Sequence, residues 1–278
     1  MFNFLFRPIY ETKPTPFGLD ISDRSLKLIR LAKFGDEIRL RNFGEMILPE
    51  GIVQSGEIKK TEDLAENISK FVHQTLGRSQ RTRYVVCSLP EEKGFVRLVH
   101  LPKMSDEEME RAVLWEMEAA IPLSLDEVYF DWKKLPSPDK IDHFDVIISA
   151  FPKKIVDDYV SALKKASLRP VILEIESQAV VRSVVPKSES ETPILIVDIG
   201  ATRTSFIIFS GEAIRFTSTI AVSGKDFNAT LIEKLKVSPQ DAELLKRNIG
   251  LDETKYNGKV YRTLLPIVDE FAENIRKY

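Results

Sequence analysis

Twice in this sequence a short apolar run ends on an aspartate, turns through small or hydroxyl-bearing residues, and resumes as a second apolar run. The first instance is Gly18-Leu19-Asp20-Ile21-Ser22-Asp23-Arg24-Ser25-Leu26-Lys27, and the second is Val197-Asp198-Ile199-Gly200-Ala201-Thr202-Arg203-Thr204-Ser205. In such a strand–turn–strand unit the backbone N–H groups of the turn can close on phosphate oxygens. The neighbouring carboxylates can hold the hydrated magnesium ion that shields those oxygens. One turn of this kind punctuates many strand ends. Two of them, each opening one half of a 278-residue chain, constrain the fold far more tightly. They predict two lobes, each begun by a strand hairpin.

The intervening sequence predicts an α/β chain. Residues 1–16 hold Pro8, Pro14 and Pro16 among mixed polar residues and read as an irregular arm. Strand-like runs follow at 17–21, 25–32 and 38–43, then a helix whose apolar residues fall at 64, 65, 68, 71, 72 and 76, then a buried strand at 84–89. A second unit starts near residue 92: a strand at 95–101, a helix opened by Ser105 with Glu108 three residues on, and strands at 128–135 and 144–150. The Ser105/Glu108 spacing is that of a capping box. A further helix spans 152–166, and the polar stretch 186–193 (PKSESETP) reads as a connector. Beyond it come strands at 194–199, 206–209 and 214–219, and helices at 231–235, 239–247 and 261–277.

Composition removes several classes of function. With a net charge of −2 and no basic stripe, nucleic acid is not an expected partner, and Arg78–Arg83 (RSQRTR) reads as a solvated loop. Cys87 is the only cysteine, so disulfides within the chain and cysteine-rich metal sites are excluded; it lies in an apolar run and reads as a buried thiol. His73, His100 and His143 are scattered and form no pair at metal-ligand spacing, so the linear sequence carries no zinc motif. No apolar run approaches the roughly 20 residues of a membrane span, and Met1–Phe6 lacks the features of a signal peptide. The chain reads as cytoplasmic.

The doubled hairpin resembles the actin, Hsp70 and sugar-kinase superfamily, in which two lobes clamp a nucleotide between paired phosphate-binding hairpins. Within it, an ordered series of segments resembles the PilM-type family of type IV pilus assembly proteins, which is related to FtsA. The segments are 17–31 (FGLDISDRSLKLIRL), 48–58 (LPEGIVQSGEI), 101–128 (LPKMSDEEMERAVLWEMEAAIPLSLDEV), 170–184 (PVILEIESQAVVRSV, resembling a connecting helix), 194–224 (ILIVDIGATRTSFIIFSGEAIRFTSTIAVSG) and 241–250 (DAELLKRNIG). The resemblance implies an α/β, two-lobed actin-like ATPase fold with an inserted α+β subdomain. Its expected organisation is an arm at 1–16, a first lobe of 17–91 and 167–190, an inserted subdomain of 92–166, and a second lobe of 191–278.

The resemblance also implies roles. Asp20 and Asp198 are expected on the magnesium side, through water, and Ser22, Ser25, Gly200, Ala201, Thr202 and Thr204 around the phosphates of ATP. Glu176 falls where ATPases of the superfamily position the attacking water; from the residues alone it is equally a helix N-terminal carboxylate. Glu243 and Lys246 match a ribose-contacting ExxK and are otherwise an i,i+3 ion pair. Ser22 and Asp23 depart from the family's glycine and small residue, and Ser223-Gly224 replaces a double glycine. Family members continue into a strand and a glycine-rich adenine turn, whereas Tyr278 ends this sequence on a helix, so the second lobe is expected to be C-terminally incomplete.

The function so implied is a cytoplasmic scaffold at the inner face of the cytoplasmic membrane. It would join a pilus inner-membrane complex (or a related type II secretion complex) through the cytoplasmic tail of a PilN-type protein, with weakened ATP and magnesium binding and little hydrolysis. Membrane association would be peripheral, through partners, and oligomers are compatible with the fold. The expected peptide groove lies between the first lobe and the inserted subdomain; Trp115 and Phe130 read as packed in a core rather than as its anchors. The alternatives are an active ATPase and an FtsA-like division protein.

Overall fold

The computed structural model describes residues 15–77, 82–135 and 142–277, in two compact units divided between Val184 and Val185. Residues 1–14, 78–81 and 136–141 fall outside the described residues. Most of the expected arm and most of the basic run belong to those segments.

The first unit is built on a five-stranded sheet of order β10-β6-β1-β2-β3. Strands β1 (Phe17–Ile21), β2 (Ser25–Phe34) and β3 (Glu37–Ile47) form an antiparallel meander. A short hairpin of β4 (Val53–Gln54) and β5 (Glu57–Ile58) leads into helix α1 (Thr61–Leu76). Helix α1 buries the six apolar positions of its 3.6-residue stripe and ends at Gly77, whose φ of 77° continues no helix. Strand β6 (Tyr84–Leu89) then runs parallel to β1, with Cys87 fully buried between neighbours. Burial, aided by the charge of Asp20, pushes that thiol well above its usual range, so it stays protonated and inert.

Within the same unit lies a smaller α+β layer. Strands β7 (Phe95–Pro102), β8 (Val128–Lys134) and β9 (His143–Pro152) form an antiparallel sheet of order β7-β9-β8. Helix α2 (Asp106–Ala120) covers one of its faces through Met109, Val113 and Met117. The expected capping box is present: the Ser105 amide donates to Glu108 Oε2 at 2.9 Å and the Glu108 amide to Ser105 Oγ at 3.4 Å. Helix α3 (Lys153–Lys165) returns to the main sheet and packs on α1. Its Tyr159, Ala162 and Leu163 are wholly buried in the main core with Phe17, Leu26, Leu64 and Ile68.

Residues 170–184, expected as a single helix, are strand β10 (Arg169–Ile175) followed by helix α4 (Glu176–Val184). The apolar run Val171-Ile172-Leu173 is short, with two β-branched residues, and pairs parallel to β6 with a register shift at Pro170, where a residue without an N–H can sit.

The second unit carries an antiparallel sheet of β11 (Ser190–Ile199), β12 (Thr204–Gly211) and β13 (Ala213–Ile220). The expected connector 186–193 is shorter than its composition suggests: β11 begins at Ser190 and absorbs Pro193 in a register shift. Helices α5 (Gly224–Leu235), α6 (Pro239–Asn248) and α7 (Lys259–Arg276) follow and share a core of Leu231, Ala242, Val260 and Leu264. No described helix is long and apolar enough to cross a membrane.

Candidate functional site

The parallel strands β1, β6 and β10 end at one edge of the main sheet, the edge where open α/β sheets take ligands. Asp20 lies at the end of β1, and its Oδ1 accepts a 2.7 Å hydrogen bond from Ser88 Oγ on β6. Glu176 follows the last residue of β10 as the first residue of α4. The amide of Ser177 donates to the buried carboxylate of Glu91 at 3.0 Å, so an acidic group already serves the positive end of that helix. Tyr159 lies close to this edge from below. Its phenol is pushed well above its ordinary range by burial, and further by Cys87, Asp23, Asp20 and Glu176. Asp20 and Glu176 thus both stand at the ends of parallel strands of one sheet although 156 positions (176 − 20) separate them in sequence.

The first hairpin turn is internally bonded. The Ser22 amide and hydroxyl both donate to the carbonyl of Ser25, at 3.0 and 3.1 Å, and the Ser25 amide returns to Ser22 Oγ at 3.1 Å. Ser22 does not have positive φ, so its side chain meets no backbone penalty there. Asp23 does not direct its carboxylate at a phosphate position. Its two oxygens accept the amides of Ser55 and Gly56, each at 3.0 Å, and so brace the β4–β5 turn. Gly56, with φ of 72°, returns its carbonyl to the Tyr159 hydroxyl at 3.2 Å.

In the second unit Asp198 stands at the end of β11, opposite Ser205 of β12. The turn between those strands closes with the Gly200 amide on the Arg203 carbonyl at 2.8 Å, and the N-terminus of α5 packs directly on it. The amides of Gly224 and Lys225 donate to the carbonyls of Gly200 and Ala201, both at 3.0 Å. A Cβ at Gly224 would stand 3.3 Å from the Gly200 oxygen, so this position needs glycine for close approach. Ser223, by contrast, is extended at φ −152°, which any residue adopts, and its buried hydroxyl donates to Asp226 at 2.5 Å. Thr202 lies in the turn beside Arg203, whose guanidinium donates to its hydroxyl at 3.5 Å. Thr204 is fully buried and spends its hydroxyl on the Val222 carbonyl at 2.7 Å. Its side chain therefore braces the turn instead of facing a ligand.

Lys246 reaches the same place from α6. Its Nζ lies 2.6 Å from Glu243 Oε2 and 3.4 Å from the Gly224 carbonyl. Hydrogen bonds from Lys246, then Asn228 and Arg247, hold the Glu243 carboxyl down at about 2. A carboxyl depressed in the folded state stabilises fully above its unfolded value and loses that contribution as pH falls through its folded value. Glu243→Gln should therefore cost about 0.5–1 kcal/mol at pH 7, modest because the pair is partly solvated. That difference should shrink between pH 4.5 and 2 and vanish below about 2; denaturant midpoints of the two proteins across that range measure it.

A groove of about 410 Å³ lies between the small α+β layer and the main sheet, all within the first unit. Tyr129, Trp132 and Phe151 line one wall; Leu173, Glu174 and Ile175 line the other. β8 and β10 are both terminal strands of their sheets, so two open backbone edges flank it. Phe130 borders it at 42% exposure, and Trp115 is 72% exposed on the outer face of α2, so neither is the core side chain that its hydrophobicity predicts.

The family model described as type IV pilus assembly protein PilM matches residues 18–278. The chain belongs to the PilM family. The match selects the pilus family over its cell-division relative. A solved PilM–PilN type IV pilus biogenesis complex is 27% identical with a TM-score of 0.77, covering 94% of this chain and 75% of that one. The ethanolamine utilization protein EutJ of Carboxydothermus hydrogenoformans is 14% identical with a TM-score of 0.55, over 95% of this chain and 73% of its own. The MreB5 protein of Spiroplasma citri, solved bound to ADP, is 12% identical with a TM-score of 0.53, over 94% and 77%. Together these establish that this PilM-family chain has an actin-like, two-lobed α/β fold.

Proposed function

We propose that this chain is a cytoplasmic scaffold of the type IV pilus, held at the inner face of the membrane by the cytoplasmic tail of a PilN-type protein. The tail would lie extended in the groove between the main sheet and the inserted subdomain of residues 92–166. The observation that supports this is the groove itself. It pairs aromatic walls with two open strand edges, β8 and β10, the combination an added peptide strand requires. Main-chain bonds to an edge would supply affinity, and Tyr129, Trp132 and Phe151 would receive alternate side chains.

Fluorescence anisotropy with a labelled PilN-type tail peptide tests the proposal. Tyr129→Asp and Trp132→Ala should each weaken binding about tenfold or more, as loss of a desolvated aromatic contact does. Trp115→Ala, outside the groove, should leave it unchanged. A folded sample that does not bind, or one equally sensitive at Trp115, would overturn the reading.

A second reading, binding of ATP with magnesium without efficient hydrolysis, is supported by the second hairpin. Its turn is fixed by its own backbone bonds and by the first residues of α5, and the Lys246 ammonium stands beside it, so a cationic group faces this end of the unit. Within the second unit, Asp198 would hold the ion through water, and Gly200, Ala201 and Thr202 would border the phosphates. Within the first unit, Asp20 is the corresponding ion-side carboxylate and Glu176 the candidate for orienting the attacking water. In the first turn, Ser22 and Ser25 are bonded to each other, which favours weak binding over tight.

A further inference from the structure

On the small sheet of the first unit, the antiparallel ladder sets His100 of β7 directly opposite Asp145 of β9. His143 lies two residues before Asp145 in the same strand, and so on the same face of the sheet. This face is the one α2 leaves uncovered, since Leu101, Val146 and Ile148 point the other way into the α2 core. The two imidazoles bracket one carboxylate oxygen. His100 Nδ1 stands 2.8 Å from Asp145 Oδ1, and His143 Nε2 stands 3.4 Å from the same atom. The rings meet edge-on with centroids 4.8 Å apart. One ligand atom from each residue falls within 4.8 Å of the others, and among the described residues no other group of three does so.

We propose that His100, His143 and Asp145 form a binding site for a divalent transition metal of the zinc class. Two imidazoles and one carboxylate suit zinc, nickel or copper and disfavour magnesium and calcium, which take oxygen ligands. A tetrahedral zinc with Zn–N and Zn–O bonds of about 2.0–2.2 Å sets its ligand atoms roughly 3.3–3.5 Å apart. The His143–Asp145 separation already has that value, and the His100–Asp145 pair needs to open by about half an ångström as the metal replaces the shared proton. His143 Nδ1 lies 3.2 Å from Asp142 Oδ1, the outer carboxylate partner that metal-bound histidines commonly have. Asp145 is the least exposed of the three, its side chain 15% accessible, so an anchoring carboxylate lies beneath two more exposed rings. Three protein ligands leave a fourth position open to water. None of the three residues is among those lining the peptide groove.

Titration of the full chain with zinc chloride, in competition with a chromophoric chelator at pH 7.5, tests the proposal. One zinc per chain should bind, with magnesium unable to compete. His100→Ala, His143→Ala and Asp145→Asn should each weaken it at least tenfold, the usual scale for loss of one ligand or its outer partner. His73→Ala, on α1, should leave it unchanged. Where a variant fails to fold, the imidazole resonances of the unmodified chain decide instead: those of His100 and His143 should shift with one equivalent of zinc while those of His73 stay. Absence of stoichiometric binding, survival of binding in the His100 and His143 variants, or shifts confined to His73 would overturn it.

Discussion

Alanine at position 159 should lower the unfolding free energy by about 3–5 kcal/mol, the scale for truncating a large aromatic side chain in a core. Tyr159 is wholly buried among the α3 and β-sheet residues of the main core and is among the largest such side chains in the described residues. Truncation leaves a cavity lined by residues that the sheet and α1 hold in place, so collapse around it is limited. It also strips the Gly56 carbonyl of its partner hydroxyl. Tyr159→Phe isolates that second effect and should cost about 1 kcal/mol. Denaturant unfolding of the three proteins reads both numbers. A loss in Tyr159→Ala no larger than in Tyr159→Phe would mean that the ring does not fill the core as described.

On the proposed nucleotide-binding reading, Gly224→Val should weaken binding of ATP with magnesium about a hundredfold, near 2.8 kcal/mol. A Cβ here already stands 3.3 Å from the Gly200 oxygen, 3.7 Å from Lys246 Nζ and 3.8 Å from Ala201 Cα. Two further methyl groups must push the first turn of α5 off the hairpin, breaking the Gly224–Gly200 and Lys225–Ala201 hydrogen bonds. The turn, the first residues of α5 and Lys246 would then no longer meet in one place. Ser223→Gly, at an extended position, should leave affinity nearly unchanged. Calorimetry on the three proteins provides the test. Equal affinity in Gly224→Val and the parent chain would place any nucleotide away from this hairpin.

Much of this architecture could be read from residue order. The apolar runs at 17–21 and 84–89 coincide with β1 and β6, the six-position stripe of α1 is buried in full, and Ser105 caps α2 through Glu108. These features are local, set by neighbours within a turn or a pleat. The resemblance of 170–184 to a connecting helix holds for its second half only, since a short apolar run at 171–173 serves an edge strand as well as a helix and only pairing with β6 separates the two. Asp23 misleads for a related reason. Its proximity to Asp20 suggests a charge facing phosphate, but its partners are the amides 32 and 33 residues away. Ser88 carries no local sign of its bond to Asp20 across 68 residues. The His100–His143–Asp145 group is invisible to motif spacing, since it exists only once β7 and β9 are set in register. Trp115 and Phe130 show the converse limit: hydrophobicity alone does not say which face of an element meets a core.

The bond pattern around Asp23 also acts as a linkage. Its carboxylate grips the Ser55–Gly56 turn, and Gly56 grips Tyr159 of α3, the helix that leads back from the small sheet bearing the groove. A displacement of the hairpin turn must therefore either stretch two charge-assisted bonds or drag the β4–β5 turn and α3 with it. A glycine or alanine at position 23 would remove that tie, leaving the turn its contacts with Leu48 and Glu50 through Arg24. With aspartate there, the hairpin and the groove are geared to each other through a short, contiguous and breakable train of contacts.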